Sequence, residues 1–242
     1  MKTSALPFNT VYVIGAGGVA SWLLPALLKL LNQQWSPPQV VVFDGDTLEE
    51  KNLDRQLFPA TCIGTNKATA LADVYRGGYN GTLVADTRFF TEGFEGVARN
   101  ALYLVCVDNH AARKAALEAV DVYGGRAVFG ANEYTDAEAY IYEPAWRDTP
   151  LDPRVFYPVI KTDTTNDPVR PQSCQGVAAA ESPQLVLANL SAATLMLWLV
   201  WFHYMERPGM SKAETFDYWP HHHRSTFSRF STVLAGHTTK KG

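Results

Sequence analysis

The sequence has few cysteines and no excess of charge of either sign, and both features exclude classes of protein. Three cysteines occur among 242 residues, and no two are spaced as Cys-x-x-Cys. A structural zinc site of the usual four-cysteine kind is therefore excluded, and no zinc is expected. The formal net charge is −3. Nothing therefore indicates a nucleic-acid-binding surface, for which a basic patch would be expected.

The start of the chain also lacks a secretory signal, because residues 1–10 contain no apolar segment of sufficient length. We therefore expect the protein in the reducing cytoplasm. The composition is 47% hydrophobic and 19% charged, which is typical of a soluble domain. A chain of this length suffices for one α/β domain with a sizeable core.

A glycine-rich turn follows the first apolar run. Val11 to Ile14 is rich in β-branched residues, which predicts a buried strand. Gly15 to Ala20 then forms a Gly-x-Gly-x-x-Ala turn before a predicted helix. Such a turn lets the backbone approach a phosphate, and the helix N-terminus offers free N–H groups and a partial positive charge. A second strand, Val40 to Phe43, ends in Asp44, which can accept hydrogen bonds from ribose hydroxyls. The pattern predicts a nucleotide-binding βαβ unit, common to many dinucleotide enzymes.

Further strands and helices are predicted along the chain. The strands are predicted over Thr82 to Phe90, Ala101 to Val107, Ala127 to Asn132 and Glu138 to Glu143. The helices are predicted over Lys67 to Tyr75 and His110 to Val122, each followed by a glycine pair. Pro144 to Ser173 is rich in proline and is predicted to be a long loop. The tail from Glu206 is predicted to add a strand or two.

Four short segments make the pattern more specific. They are Asp44 to Asp46, Asn52 to Gln56, Ile63 to Ala68 and Cys106 to Asn109. In this order they resemble the ubiquitin-activating-type adenylyltransferases, the ThiF/MoeB family, well over residues 10–143 and loosely over 174–204. Gly15 to Pro25 also resembles the ThiF-related proteins of the plasmid-borne PRTRC cassette.

The resemblance implies a Rossmann-like, doubly wound, mostly parallel sheet with C-terminal antiparallel strands, in one adenylation domain over residues 1–242. It also implies that ATP and Mg²⁺ are used to adenylate the C-terminal carboxylate of a small ubiquitin-like or sulfur-carrier protein ending in Gly-Gly. No general base is required, since a carboxylate is already ionised at neutral pH. Members are usually homodimers, so a homodimer is expected.

The resemblance also implies which residues form the site. The nucleotide-binding residues are Gly15, Gly17, Gly18, Asp44, Asp46, Asn52, Arg55, Gln56 and Lys67. Arg55 and Lys67 match cations that contact the phosphates, and Asp108 matches the aspartate of the magnesium site. Asp44 matches the ribose ligand, with a strand-terminal turn aspartate as the alternative. For Asp46 the alternative is a hydrogen bond within the loop.

Cys174 lies in the predicted crossover loop, about residues 144–182. In several relatives a cysteine of this region accepts the activated carboxyl as a thioester, so Cys174 is a candidate nucleophile. Arg170, four residues earlier, could lower the pKa of its thiol. The alternative is a partly buried loop thiol, and Cys62 and Cys106 are interpreted as structural.

No arginine precedes Arg55, although relatives often carry one near the N-terminus that reaches the partner subunit's nucleotide site. Arg147 and Arg170 are candidates to replace it, with surface positions as the alternative. His221 to His223 are interpreted as a polar loop, because adjacent residues of a strand point to opposite faces and rarely bind one ion.

Pro183 to Tyr204 is apolar and about 20 residues long, so a membrane span has to be weighed. Its polar residues, among them Asn189 and His203, favour a helix that packs on the sheet or at a subunit interface. No membrane partner is therefore expected, and residues 183–242 are assigned to a C-terminal helix and tail.

Two other functions stay open. An NAD- or FAD-dependent oxidoreductase explains the glycine turn and Asp44, but not Arg55, Lys67 and Asp108 together. A catalytically degenerate nucleotide-binding module is consistent with the missing N-terminal arginine.

Overall fold

In the part of the chain that the computed structural model describes, eight strands form one sheet, and helices pack on both of its faces. The structure describes residues 6–132, 136–162, 186–205, 224–228 and 231–234. The strands are β1 (Thr10–Ile14), β2 (Gln39–Phe43), β3 (Leu83–Asp86), β4 (Ala101–Val105), β5 (Gly125–Asn132), β6 (Asp136–Tyr142), β7 (Arg224–Ser228) and β8 (Ser231–Leu234). The α-helices of the described residues are α1 (Gly18–Leu31), α2 (Lys67–Arg76), α3 (His110–Tyr123), α4 (Pro153–Phe156), α5 (Val159–Thr162) and α6 (Val186–Val200).

The strand order across the sheet is β3-β2-β1-β4-β5-β6-β7-β8. The first five strands in this order run parallel, and the last three continue the sheet antiparallel. In doubly wound sheets of this order, ligands bind outside the carboxyl ends of the strands where the order reverses, here between β1 and β4. The predicted Rossmann-like sheet with antiparallel C-terminal strands is confirmed.

The residues of β1 contribute alternately to two cores, one on each face of the sheet. Val11 and Val13 belong to the core with α1, α2 and α6, whereas Tyr12 and Ile14 belong to the core with α3. All four residues are at most 5% exposed. Because successive side chains of a strand point to opposite faces, a strand covered on both sides requires an unbroken apolar run.

Two strands end two or more residues earlier than predicted. β3 ends at Asp86 because its neighbour β2 ends opposite it at Phe43. Phe90, predicted to close this strand, instead packs in a cluster with Phe43 and Phe94, with ring centroids 5.4 and 5.1 Å away. β4 ends at Val105, two residues earlier than predicted, since its pairing with β1 and with β5 stops there.

The first part of the predicted crossover loop contains two short helices, which corrects the loop interpretation for α4 and α5. Asp152 caps α4, since its Oδ1 accepts a hydrogen bond of 2.9 Å from the N–H of Arg154. Pro153 occupies the first position of this helix, where no N–H is needed. Residues 163–182, the remainder of that predicted loop, lie outside the described residues.

α6 is continued by a π-helical turn to Met205, and together they are long and apolar enough to cross a membrane by length and composition. In the structure α6 packs on α1, β5 and β6. Its buried residues include Ala188, Ala192 and Met196, which lie four apart along one helical face. The prediction of a helix packed on the sheet is confirmed.

Candidate functional site

A crevice of about 270 Å³ opens over the carboxyl ends of β1, β2, β4 and β5. This volume is close to the lower end of the range of about 300–1,000 Å³ for small-molecule sites. Of the predicted site residues, the three glycines of the turn, Asp44, Asp46, Lys67 and Asp108 line it. The fold therefore brings most of the predicted site to one place, at the reversal of strand order.

The three glycines of the turn differ in how much space a side chain would have at each position. Gly15 has a φ of +86°, and a Cβ there would come within 3.1 Å of the backbone that follows β4. A Cβ on Gly18 would lie 2.2 Å from Oδ1 of Asn189 on α6. Gly17 is open, since Gln56 approaches its Cβ position no closer than 4.0 Å. The first turn of α1 has no acidic residue and no side-chain cap, so its N–H groups can bind an anion in the crevice.

Asp44 joins the glycine turn to the loop that follows β2. Its Oδ2 accepts a hydrogen bond from the N–H of Ala16 (2.6 Å), and its Oδ1 accepts one from the N–H of Asp46 (2.8 Å). Burial raises the pKa of the Asp44 carboxyl above its usual value, although both hydrogen bonds act in the opposite direction. Each carboxylate oxygen keeps a second lone pair, so Asp44 can still accept a hydrogen bond from a ribose hydroxyl.

Lys67 and Asp46 form an ion pair in the crevice. The Nζ of Lys67 lies 2.9 Å from the Oδ2 of Asp46, and the two side chains are 6% and 43% exposed. Asn66, the N-cap of α2, donates from Nδ2 to the backbone oxygens of Asp44 and Asp46. The side chain of Asp46 thus fixes the ammonium of Lys67, and a contact of Asp46 with a nucleotide stays a prediction. That ammonium has three N–H donors, which leaves donors for a phosphate.

Asp108 and Arg113 line the crevice beside β4. The Oδ2 of Asp108 is buried and has no hydrogen-bond partner in the described part of the chain. Arg113 donates from Nη2 to the backbone oxygen of Val107 (3.1 Å), while its Nε is buried without a partner among the same residues. Arg113 is not among the residues predicted from the sequence. The available signal was its place in the first turns of a helix that begins at the carboxyl end of a strand.

The loop between Asn52 and Gln56 stands beside the crevice rather than in it. Asn52 is buried, and its Oδ1 accepts a hydrogen bond of 3.0 Å from the N–H of Glu49, so it holds the loop. Gln56 is buried against the glycine turn. Arg55 is half-buried and is not among the crevice residues, and its backbone oxygen accepts a hydrogen bond from Trp22. A phosphate contact by Arg55 stays a prediction.

Arg147 lies away from the crevice. Its guanidinium is 3.3 Å from the carboxylate of Asp121, near the end of α3 that is remote from the crevice. Cys106 is buried, and burial raises the pKa of its thiol, consistent with a structural role. Cys62 is half-buried. The remaining candidates lie outside the described residues: Arg170, Cys174 and His221 to His223.

The crevice has two further walls, whose residues are not among those predicted from the sequence. Phe89 and Phe90 form an aromatic wall beyond β3, and Asn132 and Asn189 form an amide wall beyond β5. In the sequence, Asn189 stood out only as a polar residue within an apolar segment. Its place in the crevice follows from the docking of α6 on α1 and on the sheet.

Several solved structures share this fold. A crystal structure of E. coli MccB with ATP superposes with a TM-score of 0.59 and 15% identity, over 81% of this chain and 55% of that chain. MccB with AMPCPP and MccA gives a TM-score of 0.62 and 14% identity, over 96% and 65%. A crystal structure of PaaA gives a TM-score of 0.50 and 15% identity, over 93% and 62%.

The chain thus spans about 55–65% of the length of these proteins, and at this identity the likeness concerns the fold. No family profile matches the chain. No curated protein matches it either.

Proposed function

We propose that this protein is an ATP-dependent adenylyltransferase of the ThiF/MoeB type that activates the C-terminal carboxylate of a peptide or small protein. The observation that carries the proposal is one crevice in which Lys67, Arg113 and Asp108 lie beside the open N-terminus of α1. MccB, which has the same fold, has been crystallised with ATP and with AMPCPP and MccA, and this supports both a nucleotide and a peptide as substrates.

The reaction requires an anionic carboxylate to approach an anionic phosphate. A carboxylate oxygen forms a bond to the α-phosphorus of ATP, the bond from that phosphorus to the bridging oxygen breaks, and pyrophosphate leaves with the electron pair. Donors and cations that meet the growing negative charge lower the barrier most. Lys67, Arg113 and the N–H groups at the start of α1 are suited to that task, and Asp44 is suited to orient the ribose.

Mg²⁺ is the metal that this chemistry would use. Asp108 offers a buried carboxylate oxygen without a protein partner among the described residues. No group of three or more metal-ligating side chains occurs in those ranges, and Mg²⁺ is commonly held by one or two carboxylates together with substrate phosphates and waters. The residues therefore fit a magnesium ion held by Asp108, where it would neutralise charge on the phosphates.

The finer features of the proposal rest on the sequence resemblance. We take the substrate to be a small ubiquitin-like protein ending in Gly-Gly, and the enzyme to be a cytoplasmic homodimer related to the PRTRC-cassette proteins. After adenylation the thiolate of Cys174 would attack the acyl carbon, the bond from that carbon to the phosphate oxygen would break, and AMP would leave as the thioester forms. Mass spectrometry of the protein after incubation with ATP and the substrate would detect that adduct.

An oxidoreductase on the same fold is the competing function, and ligand binding separates the two. We expect AMPCPP with Mg²⁺ to raise the melting temperature and NAD⁺ to leave it unchanged. Lys67→Met should lose the AMPCPP shift, whereas the control Lys29→Met, at an exposed position in the last turn of α1, should keep it. Stabilisation by NAD⁺ and not by AMPCPP would overturn the proposal. ATP–pyrophosphate exchange with peptides ending in Gly-Gly then tests the reaction itself.

A further inference from the structure

Asn189 carries a buried amide group, and only one of its two polar side-chain atoms has a hydrogen-bond partner among the described residues. The residue lies in the first turns of α6, is 1% exposed and lines the crevice. Its Oδ1 accepts a hydrogen bond of 3.3 Å from Nδ2 of Asn132. Its own Nδ2 is buried and has no partner in the described ranges. Buried amide donors are nearly always paired, so a donor left free against a crevice indicates a ligand acceptor.

Three separate elements hold this amide in place. Asn189 comes from α6, Asn132 is the last residue of β5, and Gly18 is the first residue of α1. A Cβ at position 18 would lie 2.2 Å from the Oδ1 of Asn189 and 2.9 Å from its Nδ2, so the amide occupies space that any other residue would fill. The contact also brings the amide to the N-terminus of α1, where a partial positive charge favours an anion.

The strand order places the amide on the side of the crevice away from the predicted ribose site. Asp44 follows β2 and Asn132 ends β5, and these strands are separated by β1 and β4. Three strand spacings correspond to about 14 Å. With the ribose at Asp44 and the phosphates over the start of α1, the amide would face the side of the α-phosphate from which a second substrate arrives.

We propose that Asn189, oriented by Asn132, binds the terminal carboxylate of the acyl substrate through its free Nδ2 and positions that carboxylate for attack on the α-phosphate. The inference rests on the proposed function. Asn189 would contact the substrate directly, and Asn132 would act as a positioning residue that keeps the amide oxygen turned away from the incoming anion.

Three adenosine analogues probe this assignment without knowledge of the natural peptide. AMPCPP with Mg²⁺ reports on the nucleotide site alone, 5′-sulfamoyladenosine mimics the adenylate without an acyl group, and its N-glycyl derivative carries an acyl oxygen in place of the carboxylate oxygen. Dissociation constants would be measured by calorimetry for the wild type, Asn189→Ala and Asn132→Ala. Thr194→Ala is the matched control, at an exposed position on the same helix.

We expect the wild type to prefer the glycyl derivative to the sulfamate without an acyl group. Asn189→Ala should reduce this preference by about tenfold, the effect of losing one hydrogen bond to a polar or charged group, with AMPCPP affinity within about twofold of the wild type. Asn132→Ala should reduce the preference in the same direction, and Thr194→Ala should not change it. If Asn189→Ala lowers the melting temperature strongly, the half-buried Asn132→Ala alone decides.

An equal loss of affinity for all three adenosine analogues would mean that the amide is only structural, and would overturn the inference. A loss for AMPCPP alone would assign the amide to a phosphate and overturn it as well. If the variants bind AMPCPP and keep the full acyl preference, this inference fails while the proposed function stands. If the wild type binds none of the three, the proposed function fails, and the inference that rests on it fails as well.

Discussion

Replacing Lys67 by methionine tests whether the ammonium of this crevice residue contacts a phosphate of the bound nucleotide. The substitution removes the ammonium but keeps an unbranched apolar stem in a side chain that is 6% exposed. A hydrogen bond to a charged group contributes about 1.5–3 kcal/mol. If that bond forms to a phosphate in the transition state, its loss lowers kcat/KM by roughly ten- to 150-fold, at 1.36 kcal/mol for each factor of ten.

The variant should remain folded, because the side chain of Asp46 is 43% exposed and its carboxylate can be solvated when its partner is lost. ATP–pyrophosphate exchange measures the activity, and thermal unfolding checks the fold. Lys29→Met, at an exposed lysine of α1 remote from the crevice, is the matched control. Exchange within about twofold of the wild type in folded Lys67→Met would refute the assignment of Lys67 to the phosphates.

Three further substitutions separate binding, catalysis and packing. Asp108→Ala should abolish ATP–pyrophosphate exchange with little change in melting temperature. Exchange at the wild-type rate in this variant would exclude Asp108 as the ligand of a catalytic magnesium ion. Arg113→Met should weaken AMPCPP binding by about tenfold in calorimetry, and unchanged affinity would exclude Arg113 from the nucleotide site. Gly18→Ala should lower the free energy of unfolding in urea by about 1–3 kcal/mol, because its Cβ would overlap Asn189. Gly77→Ala, with an ordinary φ and open space, is its control and should not destabilise the protein.

The βαβ unit and its glycine turn could be predicted because local signals agree there. An unbroken apolar strand, a glycine turn and an apolar helix follow one another directly, and the second strand ends in the acidic residue that meets the turn. Asp44 was expected at this edge of the sheet, and its carboxylate does accept a hydrogen bond from Ala16 of the turn. The ends of β3 and β4 could not be predicted from the local sequence, since they depend on where the neighbouring strands stop.

The rest of the crevice depends on long-range packing. Asn189 reaches Gly18 only because α6 docks on α1, and no local pattern reports which helix covers which face. Arg113 could have been predicted from the sequence, because α3 begins shortly after β4, at His110, and its first turns therefore lie at the same edge as Asp108. Arg55 shows that a residue can match the expected motif without lining the site, because it lies beside the crevice.

A crystal structure of the protein with AMPCPP and Mg²⁺ tests the central claim most directly. We expect the ribose at hydrogen-bonding distance from Asp44, a magnesium ion on Asp108, and phosphate oxygens at Lys67 and the first turn of α1. A nucleotide bound elsewhere, or bound here with its phosphates directed away from Lys67 and Asp108, would contradict the assignment as an adenylyltransferase.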